Sequence, residues 1–246
     1  MAKRFIVKEE DIKILDKKTF CIYGEEVRHI QVLRFNIGDE IHINEYMCNI
    51  IEMKKDNITF EIISLADKKG EPNVNLKLYI AYLKGEKMEF VIKKAVELGV
   101  KQIVPFISKK VVVKLDNKDY LKRKIRFEKL IQEACKQCGR TDSVEILDLM
   151  SFNEVILDLK NNDINFFAYE NSDKNLKNVI SNLNVKDIKN IKNISCIIGP
   201  EGGFDKIEVE KLNAVSNVKN ISMGSRILRA ETAALTMCSV LMYEFD

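Results

Sequence analysis

Backbone-shaping residues are concentrated in one short stretch of the sequence, Gly199–Gly203, which reads GPEGG. The stretch follows the apolar run Ile194–Ile198, which has the composition of a buried strand, and precedes a helical segment that Asp205 can cap. Glycine permits backbone angles and close approaches that a Cβ would prevent, and exposed N–H groups in such a loop can hold polar edges or a carboxylate of a ligand. An ordinary tight turn is the alternative, but the composition and position of the loop favour a ligand-binding turn.

A second loop with similar features, SMGSRILRAET at Ser222–Thr232, leaves the next predicted strand through Gly224 and enters the last helix. Only eight of the forty basic residues are arginines, so Arg226 in this loop indicates a position that needs a planar guanidinium group. The alternative for Arg226 is an ion pair with Glu201 or Glu231. Because the two loops follow consecutive strands, we expect them to face each other across one crevice.

The elements around these loops alternate between strands and helices, which predicts an α/β domain with a parallel sheet and ligands at the carboxyl ends of the strands. The Asn- and Lys-rich composition of Lys177–Asn193 predicts a mobile surface connection. The predicted strands are Asn75–Leu83, Lys101–Ile107, Val144–Leu147, Ile164–Tyr169, Ile194–Gly199 and Val218–Met223, and the predicted helices are Glu86–Gly99, Tyr120–Gly139, Lys206–Val215 and Ala230–Phe245.

The first part of the chain has a different pattern, with short strands and one helix, which predicts a small β-rich barrel or sandwich. The charged stretch Ala66–Asn73 predicts a linker, so we divide the chain into domains of residues 1–72 and 73–246. The predicted strands are Thr19–Tyr23, Gly38–Asn44, Cys48–Met53 and Ile58–Ser64, and the predicted helix is Glu25–Arg34.

Composition limits the class of protein. The chain has 246 residues, 46% of them hydrophobic, and a net charge of +3, which permits nucleic-acid binding without requiring it. It has no apolar run long enough for a membrane span and no signal-peptide pattern near Met1, so we expect a cytoplasmic protein without a membrane partner. Cys135 and Cys138 have CxxC spacing, but no second pair completes a zinc site, so we predict no bound metal.

Two familiar nucleotide-binding patterns do not fit the glycine-rich loop. The loop lacks the Lys and the Ser or Thr of a GxxxxGK[ST] phosphate loop. It is also not a GxGxxG turn after the first strand of a βαβ unit, because it lies near the end of the chain.

Several segments, in order along nearly the whole chain, resemble the ribosomal RNA small subunit methyltransferase E family. GPEGGF and MGSRILRAETA resemble the paired signature of that family. Further similar segments are KRFIV at Lys3–Val7, HIQVLRFNIGDEI at His29–Ile41, KKAVELGVKQIVPF at Lys93–Phe106 and EACKQCGR at Glu133–Arg140.

The resemblance implies an S-adenosylmethionine-dependent enzyme that methylates N3 of a uridine in 16S ribosomal RNA. The RNA partner is expected to be part of the assembled small ribosomal subunit. It implies an α/β fold with a C-terminal SPOUT-type trefoil-knotted parallel sheet, helices on both faces of that sheet, and a small N-terminal PUA-like β-barrel. It also implies a homodimer whose active site uses residues of both protomers.

Residue roles follow from the resemblance and the two loops. Arg226 is expected to stabilise negative charge on the uracil, and Arg4 is expected to join it or to bind phosphate. Arg28 and Arg34 are expected, with Arg4, to contact RNA phosphates. No residue is assigned as the general base, and Arg229 is interpreted as structural. The donor is expected to contact Ile198, Gly199, Pro200, Glu201, Gly202, Gly203, Met223, Gly224, Ile227, Leu228 and Thr232.

Two other functions stay open at this point. One is a knotted methyltransferase that acts on another RNA position or on transfer RNA. The other is a non-catalytic RNA-binding factor in ribosome assembly, although such a factor would not need both loops.

Overall fold

The computed structural model describes residues 4–65, 71–112, 117–183 and 190–246. The chain forms two compact units, one of Met1–Glu71 with Cys135–Ser143 and the other of Pro72–Ala134 with Val144–Asp246. The sequence-based division at residue 72 placed the segment Cys135–Ser143 in the second domain, whereas this segment groups with the first unit. The domain boundary itself stays a prediction. Most of the predicted linker Ala66–Asn73 lies outside the described residues.

The first unit contains a six-stranded mixed sheet with the strand order β1-β4-β5-β6-β3-β2. Strand β1 pairs in parallel with β4, and the other neighbouring pairs are antiparallel. The hydrogen-bonded path ends at β1 and β2, so closure into a PUA-like barrel stays a prediction. The elements are β1 Arg4–Phe5, β2 Ile12–Ile14, β3 Thr19–Ile22, α1 Glu25–Val32, β4 Glu40–Ile43, β5 Tyr46–Met53 and β6 Ile58–Leu65.

The second unit contains a parallel sheet with the strand order β10-β8-β7-β12-β11-β13, and β9 pairs with β8 outside this path. Every recorded pairing in this sheet is parallel, which confirms the predicted α/β class. The elements are β7 Asn75–Ala81, α2 Glu86–Glu97, β8 Gln102–Ile107, α3 Asn117–Cys138, β9 Glu145–Ile146, β10 Met150–Ser151, α4 Phe152–Asp158, β11 Ile164–Ala168, α5 Leu176–Ser181, β12 Asn193–Ile198, α6 Lys206–Asn213, β13 Val218–Ile221 and α7 Ala230–Phe245.

Helices cover both faces of the parallel sheet, as the family resemblance implied. Successive side chains of a strand point to opposite faces. Phe166 of β11 contacts Phe245 of α7 with ring centroids 5.8 Å apart, whereas the next residue, Phe167, packs in a cluster with Val155 of α4 and Leu212 of α6. The strand order by itself does not define a knot, so the predicted trefoil threading stays a prediction.

Short elements account for most of the differences from the sequence-based assignment. Strand β10 and helix α4 were not predicted, because elements of two and seven residues leave little periodic signal. The first part of the stretch Lys177–Asn193 belongs to α5, and the side chain of Asn175 caps that helix by accepting a hydrogen bond from the Lys177 N–H. That the stretch is a mobile surface connection stays a prediction. Residues 184–189 of the stretch lie outside the described residues.

The helices give no indication of a membrane span. Among the described residues, none of the helices combines the length and apolar character needed to cross a bilayer.

A polar network links β7 to the end of α4. The buried Tyr79 donates its hydroxyl proton to Oδ2 of Asp158 at 2.6 Å and accepts a hydrogen bond from Nδ2 of Asn162 at 3.2 Å. Burial alone would raise the pKa of the Asp158 carboxyl, but hydrogen bonds from Tyr79, Asn161 and Lys77 outweigh burial and hold that pKa below its usual value. The network therefore stabilises the charged carboxylate in the folded state.

Replacing Tyr79 with phenylalanine removes this hydrogen bond while leaving the ring in the core. We expect Tyr79→Phe to lower the free energy of unfolding by about 1–3 kcal/mol, because a buried donor to a charged group is lost. The loss should be fully present above the usual aspartate pKa of about 3.9 and shrink as the pH falls through the lowered folded-state pKa. Urea unfolding at several pH values measures this, with Tyr243→Phe, at a residue that is 88% exposed, as the control. Equal stabilities for the two variants would contradict the assignment.

Candidate functional site

A cavity of about 490 Å³ lies where strands β11, β12 and β13 of the second unit end. Its walls are the residues that follow these three strands, the first residues of α7, and Lys87 at the start of α2. Cavities of roughly 300–1,000 Å³ at the carboxyl edge of an open parallel sheet are typical of small-molecule sites. The two glycine-containing loops therefore share one cavity, as the sequence predicted.

The first loop is fixed by the packing of Phe204 against Gly199. A Cβ on Gly199 would lie 2.7 Å from Cε2 of Phe204, a distance that real Cβ atoms do not show. The ring of Phe204 is buried, stacked on Phe106 at 6.4 Å, and edge-on to Phe167 at 5.0 Å between centroids. Glycine at position 199 thus allows the loop to fold back into the core.

The turn that follows leaves two backbone donors without a protein partner among the residues that the structure describes. The N–H of Gly203 donates to the carbonyl of Pro200 at 2.9 Å, and Gly203 has a φ of +67°, in the region that favours glycine. Within the described part of the chain, the N–H groups of Glu201 and Gly202 have no hydrogen-bond partner. These two donors are therefore available to a ligand in the cavity.

Helix α6 begins directly after this turn, and Asp205 caps it as the sequence predicted. Its carboxylate accepts a hydrogen bond from the N–H of Ile207 at 3.2 Å, and Asp205 forms a capping box with Glu208. Hydrogen bonds from Lys109 and from the Ile207 N–H lower the pKa of the Asp205 carboxyl.

The second loop is more exposed than the first. Gly224 has a φ of +107°, and its N–H donates to Oγ of Ser222 at 3.3 Å. Beyond it, Arg226 is exposed and Ile227 is 89% exposed, before α7 begins after Arg229. Among the described residues, the N–H groups of Arg226 and Ile227 have no recorded partner, so this loop also offers backbone donors.

The strands of the two loops are not neighbours in the sheet, because β11 lies between β12 and β13. The residues that follow β11 therefore also line the cavity, among them Tyr169 and Glu170, which the sequence analysis missed. A Cβ on Gly203 would lie 3.2 Å from Oε1 of Glu170, so the glycine-rich loop closely approaches the residues that follow β11. The sequence could have pointed to Tyr169 and Glu170 only through their position at the carboxyl end of the predicted strand Ile164–Tyr169.

Lys87 is a second cavity residue that was missed, and it changes the interpretation of the charges. Its Nζ lies 3.3 Å from Oε1 of Glu201 and 3.9 Å from Oε2 of Glu231. Among the described residues, Arg226 has no ion-pair partner, so the structure gives no support to the alternative in which Arg226 pairs with one of these carboxylates. The guanidinium of Arg226 is left available to a ligand.

Ten of the eleven residues expected to contact the donor line the cavity. The exception is Thr232, which is exposed in the first turn of α7 and whose carbonyl accepts a hydrogen bond from Oγ1 of Thr236 at 2.8 Å. Its role in binding a cofactor stays a prediction.

The other predicted arginines belong to the first unit and do not line this cavity. Arg4 donates to the carbonyl of Gly139, and its Nη2 lies 3.4 Å from Nδ1 of His42. Burial lowers the pKa of Arg4 and also that of His42. Arg28 and Arg34 are exposed. The catalytic role of Arg4 and the RNA contacts of all three arginines stay predictions.

The fold and the cavity together define the class of protein. Residues 70–242 match the family model described as "RNA methyltransferase domain". The chain is 33% identical to the ribosomal RNA small subunit methyltransferase E of Bacillus subtilis (strain 168), over 99% of this chain and 97% of that protein. It therefore belongs to the ribosomal RNA small subunit methyltransferase E family, which confirms the resemblance seen in the sequence.

Solved structures have the same fold. A putative methyltransferase from Legionella pneumophila, solved in complex with the bound cofactor SAM, is 27% identical and covers 99% of this chain and 98% of its own, with a TM-score of 0.79. A ribosomal RNA small subunit methyltransferase E from Neisseria gonorrhoeae is 24% identical, covers 99% and 98% of the two chains, and has a TM-score of 0.82.

The packing at Gly199 can be tested by adding a methyl group. We expect Gly199→Ala to displace the ring of Phe204 and to lower the free energy of unfolding by about 1–3 kcal/mol, as overpacked sites do. Gly202→Ala is the matched comparison, because its Cβ would lie 3.3 Å from Cβ of Lys110, a tight contact that a shift of a few tenths of an ångström relieves, and a smaller loss is expected. Thermal unfolding compares them, and we expect Phe204→Leu to restore part of the loss in Gly199→Ala. Equal effects of the two alanines would show that the contact is not tight.

Proposed function

We propose that this protein is an S-adenosylmethionine-dependent methyltransferase that methylates N3 of a uridine in 16S ribosomal RNA. The observation that carries the proposal is the single cavity built from both glycine-containing loops, in a chain that belongs to this family. The substrate would be ribosomal RNA within the small subunit, which implies a cytoplasmic site of action.

The cavity residues fit such a donor in three respects. The N–H groups of Glu201 and Gly202, which have no partner among the described residues, suit the carboxylate of a methionine moiety. The walls also include the apolar side chains of Ile198 and Leu228, which suit the flat face of a purine. The carboxylate of Glu170 suits a positively charged group.

The reaction requires removal of the N3 proton and stabilisation of the negative charge that spreads over O2, N3 and O4 of the uracil. Bound S-adenosylmethionine supplies an electrophilic methyl group on a cationic sulfur. Arg226 can donate N–H groups to the uracil oxygens without giving up its own proton, as a guanidinium does in proteins. The two loops would hold the reactants in line, which can supply several kcal/mol of the rate enhancement.

The target base must be accessible at N3, so an unpaired or flipped uridine is expected. The exposed position of Arg226 at the cavity suits a base that enters from solvent. Arg4, Arg28 and Arg34 would contact phosphates and position the RNA without specifying its sequence.

A homodimer is part of the proposal. Ile227 is 89% exposed beside the cavity, where an apolar side chain would gain from burial against a second copy of the chain. Sedimentation equilibrium measures the mass directly, and a monomer at micromolar concentration would contradict the dimer without affecting the proposed reaction.

The proposed reaction can be tested in cells that lack the gene. Nucleosides from their 16S ribosomal RNA should lose 3-methyluridine by mass spectrometry, and the gene carried on a plasmid should restore it. Persistence of 3-methyluridine would overturn the proposal and favour a methyltransferase that acts on another RNA position. Calorimetry with S-adenosylmethionine distinguishes either methyltransferase from a non-catalytic RNA-binding factor, because such a factor would not bind the donor and would release no heat.

The role of Arg226 gives a sharper prediction. We expect Arg226→Ala to keep the dissociation constant for S-adenosylmethionine within a few-fold while lowering the methylation rate about a hundredfold or more, comparable to loss of one oxyanion donor. Arg229→Ala, at another exposed arginine of the cavity wall, is the control and should retain most activity. Equal losses of affinity and rate in Arg226→Ala would mean that the side chain is structural.

A further inference from the structure

A buried carboxylate in the first turn of α6, that of Glu208, has a role that neither the sequence motifs nor the proposed reaction assigns. The residue is 6% exposed, yet three hydrogen-bond donors surround its two oxygens. These are Oγ of Ser108 at 3.0 Å, the N–H of Lys109 at 2.9 Å and the N–H of Asp205 at 2.9 Å. A buried charge is tolerated only when it is well satisfied, so these three bonds fix the position of the carboxylate.

Two of the three donors come from the segment Ser108–Lys110, which directly follows β8 and which we call the β8 loop. The same loop makes further bonds to Phe204 and Asp205, the two residues that follow the glycine-rich turn. Nζ of Lys110 donates to the carbonyl of Phe204 at 3.1 Å, and Nζ of Lys109 lies 3.0 Å from Oδ2 of Asp205. The β8 loop is therefore joined to the residues that follow Gly203, with Glu208 as the buried centre of these bonds.

An ordinary helix cap does not require this arrangement. In α4, Glu154 forms the same kind of capping box, accepting a hydrogen bond from the N–H of Ser151 at 2.7 Å, and that site is exposed. Glu208 makes the equivalent bond to Asp205 and adds two bonds to a loop about a hundred residues earlier in the chain. The additional bonds point to a function beyond the start of the helix.

We propose that Glu208 is a positioning residue that holds the glycine-rich turn in the conformation that binds the methyl donor. The inference rests on the proposed function, because it assumes that the donor occupies the cavity beside that turn. The free N–H groups of Glu201 and Gly202 bind a ligand well only when their directions are set in advance, since ordering a loop during binding costs affinity. Glu208 fixes the directions of these N–H groups because it holds both Asp205, which follows the turn, and the β8 loop.

The matched variants are Glu208→Gln and Glu154→Gln, each of which replaces the glutamate of a capping box by a neutral side chain of the same shape. We expect Glu208→Gln to weaken binding of S-adenosylmethionine about tenfold, as when a bond to a charged group is lost, and Glu154→Gln to leave binding within about twofold. Calorimetry well below the melting temperature of each variant measures the affinity. Binding of a 16S ribosomal RNA fragment should be unchanged in both.

A milder variant keeps the test informative if Glu208→Gln does not fold. Ser108→Ala removes one of the three donors and should weaken donor binding about threefold, with circular dichroism as the control for folding. In a folded double variant, the effects of Ser108→Ala and Glu208→Gln should be less than additive, because both act on the same bonds.

Donor affinity distinguishes this inference from its alternatives. If Glu208→Gln and Ser108→Ala lower the melting temperature but bind the donor as the wild type does, Glu208 is only structural and the inference is wrong. If the wild-type protein itself binds no S-adenosylmethionine, the proposed function fails instead.

Discussion

The contact between the ring of Phe204 and the backbone of Gly199 is the constraint on which the site depends. The ring lies 2.7 Å from the place where a Cβ would be, so only glycine can occupy position 199 without moving it. Because Phe106 and Phe167 hold the same ring from the core, the turn is attached to the hydrophobic interior of the sheet. The shape of this wall of the cavity is therefore set by the folding of the second unit.

Two basic residues of the cavity, Lys87 and Arg226, differ in whether a carboxylate lies close to them. Lys87 lies near two carboxylates, those of Glu201 and Glu231, and partly neutralises them. Within the described residues Arg226 has no such partner, so its charge is not cancelled before a ligand arrives. An arginine with no competing carboxylate is better placed to stabilise a developing anion than one that is already paired. Lys87 thus supports the proposed role of Arg226 without contacting it.

The sequence was most informative where the structure depends on local chemistry. The cap at Asp205 and the glycine-rich turn follow from residues close in the chain, and both were predicted. Lys87, Glu170 and Glu208 were missed because their partners lie far along the chain, and strand order decides which of those segments meet. The sequence pattern predicts parallel strands, but it does not show that β11 lies between β12 and β13. The wall of the cavity formed by the residues after β11 could therefore not be assigned from the sequence.

The two loops of the cavity differ in how firmly they are held, and this difference has a physical consequence. The first loop is attached to the core through Phe204 and to the β8 loop through Glu208, whereas the second exposes Arg226 and leaves Ile227 89% exposed. A preformed loop gives affinity at little entropic cost, which suits a cofactor used in every turnover. An exposed loop loses freedom only when a partner covers it. Ordering of the Arg226 loop would then coincide with arrival of the RNA or of a second copy of the chain, which couples charge stabilisation to assembly of the complete site.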